Sequence, residues 1–90
     1  MLQTVLIQVT GKVQGVFYRQ STKEFAIKNN ITGEVKNLPD GSVQIIATGT
    51  AEQLNLLEQW CHRGPARAQV TEVNVTPTEL KLFEQFSIIR

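Results

Sequence analysis

From Thr4 to Thr10 the chain alternates, with Val5, Ile7 and Val9 on one face and Leu6, Gln8 and Thr10 on the other. A period of two predicts a strand. Gly11 and Gly15 then bracket a short loop, Gly11-Lys12-Val13-Gln14-Gly15. From about Tyr18 to Asn30 the period turns helical. Thr22, Phe25, Ala26 and Asn29 share a face, Lys23, Glu24 and Lys28 point mostly outward, and Asn29-Asn30 supplies a stop. Gly33 to Leu38 and Ser42 to Gly49 read as two further strands joined by Pro39-Asp40-Gly41. In that turn proline presets φ, aspartate caps locally and glycine accepts positive φ, so the pair is a β-hairpin. Thr50 and Gln53 fit a capping box. Leu54, Leu57 and Cys61, flanked by Leu56 and Trp60, form the apolar stripe of a second helix that Gly64-Pro65 ends. Val70 to Thr76 and Gln85 to Ile89 are the last two strands.

The order β-α-β-β-α-β plus a final strand predicts an α+β, ferredoxin-like sandwich. Two helices pack on one face of an antiparallel sheet, with an additional C-terminal strand. Direction follows from order. The first strand runs up, the first helix starts at the top, and the second strand ends at the top. The loop Gly11–Arg19 and the end of the second strand near Asn37 therefore share one edge of the sheet.

Composition narrows the picture. Ninety residues make one domain, residues 1–90. Hydrophobic residues at 41% and charged residues at 19% exclude a disordered tail. A net charge of +1 argues against wrapping nucleic acid, while leaving room for a local cationic pocket. No apolar run approaches the roughly 18–20 residues of a membrane span, and Met1-Leu2-Gln3-Thr4 lacks the features of a signal peptide. The one cysteine, Cys61, rules out an internal disulfide and a Cys-rich metal site, so a reducing cytoplasm is the expected compartment.

Chemistry is expected at the shared edge. Gly15-Val16-Phe17-Tyr18-Arg19 runs from a glycine loop into a helix. N–H groups at a helix start lack intrahelical partners, and the dipole there favours an anion. Arg19 adds a planar fork suited to phosphate. The Gly-x-x-x-x-Gly-Lys-Ser/Thr spacing of a P-loop is absent. Alternation puts Asn37 on the face of Val35, toward the helices, where its amide can hold a water aimed at a bound electrophile. Read alone, Arg19 is an ordinary surface arginine and Asn37 is turn chemistry before Leu38-Pro39-Asp40-Gly41. His62 and Arg63 suit a helix C-terminus, Cys61 and Trp60 suit packing, and Asp40 suits its turn. A single histidine cannot build a metal site. Ser21 and Thr22 have no histidine nearby in sequence to activate them.

Two collinear segments resemble the signatures of the acylphosphatase family. The first is Gly11-Lys12-Val13-Gln14-Gly15-Val16-Phe17-Tyr18-Arg19. The second is Gly33-Glu34-Val35-Lys36-Asn37-Leu38-Pro39-Asp40-Gly41-Ser42-Val43, and the interval from Arg19 to Asn37 also matches. Gly64-Pro65 with Ala68, Val70 and Val73, and later Phe86-Ser87-Ile88, extend the likeness over nearly the whole chain. The resemblance implies the ferredoxin-like fold and metal-free hydrolysis of acyl phosphates; with the composition above, a cofactor-free cytoplasmic monomer with no nucleic-acid or membrane partner is expected. It implies that Arg19 and the backbone amides of Gly15, Val16, Phe17, Tyr18 and Arg19 bind the substrate phosphate, and that Asn37 positions the attacking water. Two positions depart from it: Phe17 stands where many members have glycine, and Glu34 where many have tryptophan. An RNA-recognition module of the same fold would carry aromatics on its central strands, and Thr4–Thr10 and Val43–Thr48 carry none. A phosphate-binding module without turnover is the other alternative.

Overall fold

The computed structural model describes Met1–Arg90. The elements run β1 (Gln3–Lys12), α1 (Tyr18–Lys28), β2 (Thr32–Asn37), β3 (Val43–Gly49), α2 (Ala51–Arg63), β4 (Gln69–Thr78) and β5 (Phe86–Ile89). The five strands lie in the order β4-β1-β3-β2-β5. Cα partners carry one apolar row across all of them: Val75, Ile7, Ile45, Val35 and Ile88. Ile7, Ile45 and Val35 on the three inner strands are wholly buried. Both helices cover this face, presenting Thr22 and Ala26 from α1 and Leu54, Leu57 and Cys61 from α2. No helix is long and apolar enough to cross a membrane.

The expected antiparallel sheet is in fact mixed, because β5 pairs with β2 in parallel. Chain direction explains this. β4 is antiparallel to β1 and finishes at the bottom edge, where β2 begins. The chain then crosses the sheet and pairs Phe86 with Gly33 at the start of β2, so it can only run upward. The crossing segment is strapped to the face opposite the helices. Thr48 donates its hydroxyl to the Lys81 carbonyl at 2.6 Å, and the Lys81 N–H donates to Thr4 Oγ1 at 2.9 Å.

The two helices end and begin differently. α1 stops in a Schellman motif: Asn30 takes φ +60°, its N–H donates to the Ile27 carbonyl at 3.2 Å, and the Ile31 N–H donates to the Ala26 carbonyl at 2.8 Å. α2 starts with the capping box expected from Thr50 and Gln53, with Glu52 in its first turn. Trp60 of α2 packs between Tyr18, at 5.4 Å, and Phe25, at 5.5 Å, which locks the helix pair.

Candidate active site

The first turn of α1 has no side-chain cap and no acidic residue. An uncapped N-terminus forgoes about 1 kcal/mol of helix stability. What it leaves free is a set of donors. The backbone N–H groups of Gly15, Val16, Phe17, Tyr18, Arg19 and Gln20 make no hydrogen bond within the protein. Their geometry is set by handedness: φ is +74° at Gly15 and +64° at Phe17, and negative at Val16 and Tyr18. Alternating signs are the backbone pattern of an N–H nest, a concavity of the kind that can hold an anion, here at the positive end of the helix dipole. Glycine meets this need without strain at position 15. At position 17 a phenylalanine holds the left-handed conformation, with its ring largely exposed.

Buried anchors fix the loop. Val13 and Val16 turn into the core. Tyr18 is also buried, and its hydroxyl donates to the Cys61 carbonyl at 2.8 Å, tying the start of α1 to the last turn of α2. Burial, reinforced by Cys61, pushes the Tyr18 phenol well above its ordinary range, so it stays a donor. Burial likewise pushes the Cys61 thiol up to about 12.

Asn37 ends β2 at the same edge. Its Oδ1 is buried and has no hydrogen-bond partner. No other buried side-chain polar atom is left in that condition. The turn that follows is stiff. Asp40 accepts from the Ser42 hydroxyl at 2.6 Å and the Ser42 N–H at 2.9 Å, and these bonds, the hydroxyl's first, lower the Asp40 carboxyl below its usual range. The turn reading of Asp40 therefore describes what it does.

Gly15, Phe17, Tyr18, Arg19 and Asn37 line one concavity of about 630 Å³. Val16 does not line it, since its side chain belongs to the core and only its N–H is offered. No acidic side chain lines it. Arg19 has no carboxylate partner, the single ion pair being Lys81 with Glu34 at 3.9 Å on the far face. Nowhere do three His, Cys, Asp or Glu side chains cluster as metal ligands would.

Further contributors lay outside the sequence reading, Val13 and Gln20 in the lining among them. Ile88 and Arg90 line the concavity because β5, parallel to β2, ends at the same edge. Strand order decides this, and no local pattern reports it. Gln14 is another: its Nε2 bridges the loop to the β2–β3 turn by donating to the carbonyls of Leu38 and Ser42.

This geometry has close counterparts. An acylphosphatase from Marinobacter nauticus is 50% identical over 82 residues, spanning 91% of this chain and 87% of the relative. The structure of an acylphosphatase from Coxiella burnetii superposes with a TM-score of 0.95 at 34% identity, covering 98% of this chain and 93% of that one. The crystal structure of acylphosphatase from Bacillus subtilis gives 0.94 at 35% identity over the full length of both. The acylphosphatase family model matches residues 5–88, a span that holds the whole amide loop, Arg19 and Asn37, and on that match this chain belongs to the acylphosphatase family.

Proposed function

We propose that this acylphosphatase hydrolyses the carboxyl–phosphate bond of small acyl phosphates with Arg19, the amides of residues 15–19 and Asn37. One observation carries the reading. Arg19, with its unpaired guanidinium, and Asn37, whose buried Oδ1 has no partner, line one concavity beside a run of unpartnered N–H donors.

The nest and the Arg19 fork hold the phosphoryl oxygens and offset the charge they carry in a loose transition state. Asn37 Oδ1 accepts a hydrogen from a water and aims its oxygen at phosphorus, in line with the acyl oxygen. The new P–O bond forms as the acyl P–O bond breaks. The electron pair leaves with the carboxylate, and the water's proton passes to a phosphoryl oxygen of the substrate, giving inorganic phosphate. A carboxylate is a stable anion, so no general acid is needed, and the lining supplies none. Neither metal nor cofactor enters these steps. The reading has the protein act as a cytoplasmic monomer on a small molecule, with neither nucleic acid nor membrane as partner. The net charge of +1 and the single reduced thiol, Cys61, support it.

The test is turnover of benzoyl phosphate in EDTA, beside Arg19→Ala and Asn37→Ala. Activity should survive the chelator and vanish in Arg19→Ala. Asn37→Ala should lower kcat while keeping affinity for inorganic phosphate, because it removes a group used only for attack. A folded wild type that binds phosphate without turnover would instead be an anion-binding module.

A further inference from the structure

We propose that Gln14 is a positioning residue that sets Asn37 against the amide nest. The inference rests on the functional reading above, in which Asn37 aims the water. The Asn37 side chain makes no hydrogen bond to the protein, so its aim depends on the backbone that carries it. That backbone runs into a stiff turn. The Leu38 N–H donates to the Ser42 carbonyl at 2.8 Å, the Gly41 N–H to the Leu38 carbonyl at 3.1 Å, and Gln8 Nε2 to the Ser42 hydroxyl at 3.2 Å. These bonds close the turn on itself, and Gln14 ties it to the amide loop. Its Nε2 donates to the Leu38 carbonyl at 2.8 Å and the Ser42 carbonyl at 2.9 Å.

The chemistry selects the side chain. Two carbonyls facing one nitrogen need two N–H bonds from one atom, which a primary amide supplies and a carboxylate cannot. The ends of the bridge also matter. Gln14 is the residue before Gly15, and Leu38 is the residue after Asn37. No other side-chain hydrogen bond joins residues 13–19 to residues 37–42. A loosened bridge would leave each half of the site intact and spoil only their relative placement.

Gln14→Met keeps length and removes the donors. With benzoyl phosphate, kcat should fall about 10–100-fold, the loss expected from misplacing a reacting group by roughly an ångström. The inhibition constant of inorganic phosphate should stay within about twofold, and the losses from Gln14→Met and Asn37→Ala should not add in the double variant. Unchanged kcat in folded Gln14→Met, or full additivity, overturns the proposal. Should Gln14→Met not fold, Gln14→Glu decides the question. Its carboxyl can donate only when protonated, so its kcat relative to wild type should climb toward acid pH. A flat ratio overturns the proposal. Failure of the underlying reading looks different: Asn37→Ala would then keep wild-type kcat.

Discussion

Replacing Tyr18 with phenylalanine removes one oxygen and tests how the start of α1 is held. The Cys61 carbonyl lies in the last turn of α2, where carbonyls lack intrahelical donors, and the Tyr18 hydroxyl satisfies it at 2.8 Å. Deleting the hydroxyl leaves a buried acceptor unmet, which costs about 1–3 kcal/mol. The site cannot relax to recover the loss. The ring lies against Trp60 on one side, and on another its Cε2 sits only 2.7 Å from where a Cβ on Gly64 would be. The gap left by one oxygen is too small and too apolar to recruit a water. A loss near the middle of that range lowers the midpoint of a domain this size by about 10 °C. Thermal unfolding followed by circular dichroism reads the shift. Urea titration should show a lower midpoint at unchanged slope. A fall of less than about 2 °C would mean that the hydroxyl contributes little to anchoring the helix.

Arg19→Lys should lower kcat/KM for benzoyl phosphate by about 10²–10³, since a point charge cannot replace the fork. Its melting temperature should hold, because Arg19 makes no ion pair that the substitution could break, and calorimetry checks this. Phe17→Gly should be more stable than Phe17→Ala by about 1 kcal/mol, as only alanine keeps the left-handed penalty. Equal urea midpoints for the two would show the φ of +64° to be unstrained. Stability should be level through neutral pH and fall as pH rises above about 9, because the Cys61 thiol, and then the Tyr18 phenol, ionise in the unfolded chain while burial keeps both protonated in the fold, the thiol until about 12. Denaturant titrations from pH 7 to 10.5 would show it, and native protein should resist thiol reagents over the same range.

Alternation and capping signals are local, and where structure is locally determined the sequence was readable. Val5, Ile7 and Val9 announce their buried face by parity, and Thr50 with Gln53 announce a helix start by spacing. Parity also placed Asn37 on the helix side, with the element order bringing it to the nest. The direction of β5 was not readable, since it depends on where the chain re-enters the sheet after Lys81. Phe17 hid its conformation, because a phenylalanine carries no signal for positive φ where a glycine would. Gln14 looks like any loop amide until the turn that accepts its two bonds has been folded against it. The N–H nest was foreshadowed by Gly15 before a helix, but its alternating handedness belongs to the backbone alone.

The strap over the open face also bears on how the protein reaches its native state. β1 pairs with residues 69–78 and β2 with residues 86–89, so the sheet is knitted from segments far apart in the chain. Such non-local pairing places folding toward the slow end for small domains, on the order of milliseconds to seconds. β5 reaches β2 by a crossing from the opposite edge, and it carries Ile88 and Arg90 to the concavity. Two-state folding would bring helix signal and turnover back together in refolding protein. Turnover lagging behind helix signal would mark β5 as the piece that completes the concavity, and turnover recovered first would mean the concavity works without its outer wall.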